Sequence, residues 1–394
     1  MPNRQKVLLV TRNLPPLLGG MERLNWHMVE QLCHAADVHV IAPEYSDIPS
    51  SARASLLAVK GKPLWRFLAG TLWRSLSDAF HWHPNVIIAG SGLTAPFVWL
   101  AARICGARTA VYLHGLDIGL RHALYTLAWL PFTRNMDVVI VNSTSTHLLA
   151  MSRGICEEKI RILHPGVALP ERKARKDQDN YENFRAAHGL GAGPILLSVG
   201  RLTERKGLRE FVRDVFPLIA SQHPDIQLAV IGETANNALA ARSQSVESIR
   251  AEAAQHSLAD RVHFIGAITD RTELSLAYES AAVHVFPVRE IMGDPEGFGM
   301  VAIEAAAHGL PTVAYATGGV VDAVSDGVSG YLIPPHDAEA FAHKVSDLLQ
   351  ATLPPENMLQ FASKFAWPAF GAALHESLDI ASSGRAQAAQ RGER

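Results

Sequence analysis

Two carboxylates, Glu296 and Glu304, stand eight positions apart in the stretch DPEGFGMVAIEAAAHGLPTVAYATGG, residues 294–319. Gly297-Phe298-Gly299 lies between them and feeds a helix expected from Met300 to His308. A glycine-rich loop at a helix start directs unpaired N–H groups, here those of Gly299, Met300 and Val301, toward an anion, and the helix dipole adds to the attraction. Glu304, about a turn into the helix, repels phosphate but accepts readily from sugar hydroxyls. The combination fits a ligand that is both sugar and phosphate. Gly309-Leu310-Pro311 ends the helix, Thr312 to Tyr315 reads as a short buried strand, and Gly318-Gly319 turns out of it.

Three further positions could do chemistry. Gly200-Arg201-x4-Lys206-Gly207 follows a strand expected over Pro194–Val199. His114 ends the run Thr109 to Leu113, and ligands of open parallel sheets bind beyond the carboxyl ends of strands. Gly19-Gly20 precedes a helix expected over Met21–Ala36 and could approach a phosphate closely; a flexible turn reads equally well.

The elements that must position these residues form two α/β series. The first has strands at Lys6–Val10, Val38–Ile41, Val86–Ala89, Thr109–Leu113, Val138–Ser143 and Ile160–Val167. ERKARKDQDN, residues 171–180, is charged and poor in apolar residues, and reads as a linker. The pattern then restarts. A helix is expected over Leu208–Gln222 and another over Glu273–Ala281. Strands are expected at Ile226–Ile231, Val262–Gly266, Val283–Pro287 and Gly330–Ile333. Helical pieces at Phe361–Phe365 and Phe370–Ile380 precede an Ala/Gln/Arg-rich tail. Two domains in series imply a cleft between them as the ligand site.

A chain of 394 residues exceeds one ordinary core, and 48% hydrophobic with 19% charged residues describes a folded protein. The net charge of −2 provides no global field for nucleic acid. Three cysteines without CxxC spacing argue against a disulfide framework or zinc site and suit a reducing compartment. The apolar run Val7–Val10 is too short for a signal peptide. Val86–Cys105 is apolar enough to suggest a membrane span, but Gly90-Ser91-Gly92 breaks it into a strand, a turn and a helix. KGKPLWRFLAGTLWRSL, residues 60–76, sets Trp65, Leu68, Leu72, Trp73 and Leu76 at helical spacing beside Lys60, Lys62, Arg66 and Arg74. It reads either as a membrane-surface helix or as a surface helix packed on its own domain.

The ordered set Gly19-Gly20, His114, Gly200-Arg201-x4-Lys206-Gly207 and Glu296-x7-Glu304 resembles the retaining glycosyltransferases of family 4, over about residues 6–380. The resemblance implies the α/β GT-B fold, two Rossmann-like doubly wound domains facing across a cleft. It implies an acceptor-side domain at 1–172 and a nucleotide-sugar-binding domain at 173–365. Residues 366–394 would form a C-terminal helix returning to the first domain and then a frayed tail. Arg201 and Lys206 would bind the diphosphate, Glu304 the ribose, and Glu296 the donor sugar. Backbone amides of Phe298, Gly299, Met300 and Val301 would hold sugar and phosphate. The base would lie near Gly266-Ala267-Ile268, His114 would touch the sugar near the reacting centre, and Gly19 and Gly20 would let the first domain's loop close on the diphosphate and acceptor. Retention would proceed by same-face attack, with no protein nucleophile.

No metal or other cofactor is required on this reading, and no DxD-like pair follows a strand. The donor would be GDP-mannose, by similarity of the motif to bacterial members with lipid-linked acceptors, or a UDP-sugar. The acceptor would be a lipid-linked or other glycan acceptor in cell-surface glycan synthesis. The location would be cytoplasmic, or peripheral on the inner face of the membrane through residues 60–76, with no nucleic acid involved. Other classes remain open. A glycoside hydrolase would use the paired carboxylates but leave Arg201 and Lys206 without purpose. A dehydrogenase would need a GxGxxG after the first strand, which is absent. A non-catalytic nucleotide-sugar module would bind without turnover, and an epimerase would convert donor without acceptor.

Overall fold

Val7–Val10, Val86–Ala89, Val138–Val141 and Val283–Phe286 are buried along their whole length. Continuous apolar runs of this kind form the inner strands of parallel sheets covered on both faces. The computed structural model describes residues 4–51, 53–119, 123–170, 178–234 and 243–380. It divides into two compact units, one running up to Gly166 and resuming at Trp367, the other spanning Val167–Ala366.

The first unit holds β1 (Gln5–Val10), β2 (Ala36–Pro43), β3 (Ala54–Val59), β4 (Val86–Ala89), β5 (Arg108–Leu113), β6 (Val138–Val141) and β7 (Ile160–Ile162). Their order is β3-β2-β1-β4-β5-β6-β7, with every pairing parallel. The second unit holds β8 (Ile195–Val199), β9 (Gln227–Ile231), β10 (Val262–Gly266), β11 (Val283–Phe286), β12 (Thr312–Tyr315) and β13 (Gly330–Ile333). Its order, β10-β9-β8-β11-β12-β13, repeats the same winding, again all parallel. In both sheets the strand order reverses once, between β1 and β4 and between β8 and β11. That reversal opens a crevice at the carboxyl ends of the strands.

Packing follows the two-residue period of a strand. On β8, Leu196 faces a core with Phe211, Phe216, Ile219 and Phe341, while Ile195 and Leu197 face another with Phe184, Tyr278 and Leu310. In the first unit Leu8, Val10, Ile87, Val111 and Val139 pack with Phe67, Val98 and Ala101.

Several elements differ from the sequence reading. Ala54–Val59 is a strand where none was expected; it forms the sheet edge and is only partly buried. Helices Val246–Gln255 and Ala338–Gln350 were likewise not expected. The single helix read over 208–222 is two helices, Leu208–Asp214 and Phe216–Gln222. Pro217 has no N–H for the Arg213 carbonyl, which ends the first helical ladder there. The helix read within 60–76 spans Leu64–Trp82. Of the expected linker, residues 171–177 lie outside the described residues, and helix Gln178–Ala187 takes up its end. The tail expected to fray lies outside them from residue 381 onward.

Candidate functional site

At the reversal of the second sheet, β8 ends at Val199 and the chain enters Gly200-Arg201 and a 3-10 turn, Glu204–Lys206. Adjacent β11 ends at Phe286 and leads into the segment that carries Asp294 and Glu296. The two loops meet through charge. Lys206 Nζ lies 3.0 Å and Arg205 Nε 3.1 Å from Glu296 Oε2. Arg205 Nη1 donates to Asp294 Oδ1 at 2.6 Å and to the Pro295 carbonyl at 3.1 Å. These four side chains are between 8% and 16% exposed, so the cluster is a largely desolvated one. The contacts to Glu296 Oε2 have ion-pair distances but lack hydrogen-bond geometry, and this oxygen and Arg205 Nε count as buried without a hydrogen-bond partner. We therefore read them as Coulombic pairs. Lys206 also lies over the Phe286 ring, 4.6 Å from its centroid.

Electrostatics follow from this crowding. Burial raises the Glu296 carboxyl, but Lys206 and Arg205 outweigh it and hold the group below its ordinary value. Burial lowers the Lys206 ammonium against the opposing pull of Glu296. Asp294 is raised by burial despite Arg205. Buried His284, on β11, is pushed down to about 3 by desolvation and by the Lys206 charge, so its imidazole is neutral. Arg201 is exposed and makes no ion pair or hydrogen bond among the described residues. It is the cation left available to an incoming anion.

Beyond Glu296 the chain passes Phe298, buried and 5.8 Å from the Phe365 ring, to the helix Met300–Ala307. Gly299 precedes it with φ 96°, a left-handed conformation, and a side chain there would run into Phe286. No side chain caps this helix, so its first backbone amides, at Met300 and Val301, are not covered by a capping oxygen. The loop is held from below by the Gly318-Gly319 turn. Gly319 N donates to the Glu296 carbonyl at 2.9 Å, and a Cβ on Gly319 would strike the Gly297 carbonyl. Glu304 is buried and accepts from Tyr278 Oη at 3.0 Å. Gly266 ends β10 and its carbonyl accepts from Gly232 N at 2.8 Å; Ala267, exposed, and Ile268 follow.

The structure thus brings Lys206 into contact with Glu296, places Arg201 on the same loop as Lys206, and sets Phe298, Gly299, Met300, Val301 and Glu304 along one loop and helix. Arg205 and Asp294 belong to this cluster, and the sequence reading gave them no role. The signal was present: Arg205 abuts Lys206, and Asp294 is two positions from Glu296.

The remaining expected residues belong to the first unit. His114 follows β5, is buried, and its Nε2 lies 2.8 Å from the Gly90 carbonyl. Asp117 Oδ1 accepts from His114 N at 2.9 Å and its Oδ2 from Gly92 N at 3.0 Å, tying two strand-end loops together. Gly19 and Gly20 open the helix Gly20–Leu32. Gly19 is extended there, a conformation open to any residue.

Residues 18–170 match the family model described as Glycosyltransferase Family 4, and residues 180–365 that described as Glycosyl transferases group 1. A GDP-mannose-dependent alpha-(1-6)-phosphatidylinositol monomannoside mannosyltransferase of Mycolicibacterium smegmatis is 28% identical over 354 residues, 87% of this chain and 89% of that protein. A D-inositol 3-phosphate glycosyltransferase of Catenulispora acidiphila is 33% identical over 226 residues, 55% of this chain and 49% of that protein. Among solved structures, Anabaena HepE in complex with UDP superposes with a TM-score of 0.76 at 18% identity, over 95% of this chain and 99% of that one. Sucrose-phosphate synthase of Thermosynechococcus elongatus gives 0.74 at 23% identity, over 95% and 98%. Both likenesses show the fold, which is GT-B.

Proposed function

We propose that this chain, which belongs to the glycosyltransferases through its family 4 and group 1 segments, moves mannose from GDP-mannose to a lipid-linked or other glycan acceptor, with retention. The observation that carries the donor site is the meeting of Lys206 with Glu296, 3.0 Å apart, at the reversal of the second sheet. On this reading Arg201 and Lys206 neutralise the departing diphosphate, one as a planar fork and one as a point charge. The start of the helix Met300–Ala307, at Phe298, Gly299, Met300 and Val301, supplies backbone N–H groups to phosphate and sugar. Glu304 accepts from the ribose and Glu296 from the donor sugar. Gly266, Ala267 and Ile268 line the base. In the first unit, the family resemblance assigns His114 to the donor sugar and Gly19 and Gly20 to the diphosphate and acceptor.

The glycosidic C–O bond of the donor breaks and its electron pair leaves with the diphosphate. The acceptor oxygen bonds to the same carbon on the same face, and its proton passes to the leaving phosphate oxygen. Preorganised cations are the chief catalytic contribution in such a step, each worth on the order of 3 kcal/mol. The scheme calls on no metal and no protein nucleophile. Mannose and a lipid-linked acceptor are favoured by the named activity of the M. smegmatis relative, which aligns with 87% of this chain. Such an acceptor places the enzyme on the cytoplasmic face of a membrane, in contact through residues 60–76.

Calorimetry with GDP, UDP, ADP and dTDP tests the reading. Preference for GDP, lost in Arg201→Ala/Lys206→Ala, is the expected result. Preference for UDP keeps the transferase and discards GDP-mannose, and a folded protein that binds none of them overturns the donor site.

A further inference from the structure

Glu296 Oε2 is shared between two cations that are not equivalent. Lys206 reaches this oxygen alone, from a flexible stem. Arg205 reaches it while also bonding Asp294 Oδ1 and the Pro295 carbonyl, so it grips three consecutive residues of the facing loop. Its own carbonyl accepts from Arg289 N at 2.7 Å, which fixes the turn that bears it. Arg205 is therefore anchored at both ends, whereas the Lys206 ammonium has one ionic contact and an aromatic face.

The charge count sharpens the contrast. Arg201, Arg205 and Lys206 face Asp294 and Glu296, three cations to two carboxylates, a surplus of one before any ligand arrives. A diphosphate brings more negative charge than that surplus and draws on Lys206 beside the backbone N–H groups at the start of the helix Met300–Ala307. A buried carboxylate abandoned by its counter-ion is strongly disfavoured, so Lys206 can leave Glu296 only if another cation stays. The Glu296 side chain is nine-tenths buried, and its Oε2 meets both cations at ion-pair distance.

We propose that Arg205 is a positioning residue: the standing counter-ion of Glu296 and Asp294 that makes Lys206 exchangeable, so that Lys206 passes from Glu296 to the donor diphosphate and Glu296 is left to accept a sugar hydroxyl. This rests on the donor site argued above. Without Arg205, Lys206 becomes the sole partner of Glu296 and is withheld from the diphosphate. Neutralising Glu296 then releases it. A residue that only braced the loop, or that touched the diphosphate itself, would not be rescued by changing a carboxylate.

The test is calorimetry with GDP, which carries no sugar for Glu296 to bind, or with UDP if that is the tighter nucleotide. Arg205→Gln is expected to weaken binding about tenfold or more, and Arg205→Gln/Glu296→Gln to return it to within about threefold of the wild type. A double variant as weak as the single one overturns the proposal, as does a single variant that binds like the wild type. If the single variant shows no thermal unfolding transition, Arg205→Gln/Glu296→Gln is compared with Glu296→Gln alone. Equal affinities support the exchange, and a further loss of about tenfold means that Arg205 binds the diphosphate directly and overturns it. A folded wild type that binds neither nucleotide removes the donor site first and the exchange with it.

Discussion

His284 shows how the cation cluster sets the chemistry of a single neighbour. It is fully buried on β11, 3.0 Å by Nδ1 from Thr312 Oγ1, and near enough to Lys206 for a second positive charge to be repelled. Its folded pKa of about 3 lies below the ordinary 6.5, so the unfolded chain binds the extra proton first as pH falls. Stability from this residue is full above about pH 6.5 and is lost steadily down to about pH 3. At pH 5 the loss is about 2 kcal/mol, from 1.36 kcal/mol per pH unit over about 1.5 units. His263 and His375 are also lowered by burial and add in the same direction. His284→Asn is therefore compared with the wild type by urea unfolding at pH 7 and pH 5. The variant is expected to lose about 2 kcal/mol less between the two, and an equal loss would remove the assignment. The residue types of the site were legible because glycines, carboxylates and cations stand at fixed spacings. His284 was not, because its surroundings come from a sheet neighbour, and Arg205, though it abuts Lys206, meets partners on a facing loop that spacing along the chain does not reveal.

At the scale of elements, the loop 296–299 keeps its shape because the Gly318-Gly319 turn passes directly against it. Gly319 has φ −77°, which any residue tolerates, so its need for glycine is steric alone: a Cβ would enter the Gly297 carbonyl. Gly319→Ala is expected to cost about 1–3 kcal/mol in unfolding free energy and to weaken nucleotide binding, since Glu296 and the start of the helix Met300–Ala307 must shift with the loop. Unfolding titrations and calorimetry on that variant decide it; unchanged values for both would mean the loop yields without consequence. The same contrast explains which elements could be read. Strands β4, β6 and β11 and the Val7–Val10 part of β1 are buried throughout and announce themselves as largely apolar runs. Edge strand β3, sequence ASLLAV, is half-exposed and hides in a polar stretch. Helices Val246–Gln255 and Ala338–Gln350 carry start signals that were available, Ser245 accepting from Ser248 N and Asp337 from Ala340 N.

At the scale of the molecule, the chain leaves the first unit after Gly166 and returns to it at Trp367. There His27 stacks on Trp367 at 3.8 Å and His375 Nε2 meets the Gln31 carbonyl at 3.0 Å. The same unit carries the surface that the proposed acceptor would require. Helix Leu64–Trp82 buries Phe67, Thr71, Ser75 and Ala79 and leaves Trp65, Trp73 and Phe80 between 63% and 67% exposed. Trp65 and Trp73, with Lys60, Arg66 and Arg74, line a hollow of about 420 Å³ open to solvent. Helical packing on the domain accounts for the buried stripe but not for two outward indoles set among cations, which is the composition of a helix lying at a lipid interface. Among the described residues no helix is long and apolar enough to cross a membrane, so contact of this kind would be along the surface. Trp65→Ser/Trp73→Ser is expected to weaken flotation with anionic phospholipid vesicles about tenfold or more, because each indole withdraws well over 100 Å² of apolar surface from water on insertion. Nucleotide binding should be unchanged, since neither tryptophan belongs to the donor site. Raised salt should weaken the wild type through its cations while leaving the indole contribution. Equal flotation of the folded variant and the wild type would assign the two tryptophans to some other contact and remove the membrane from the proposed function.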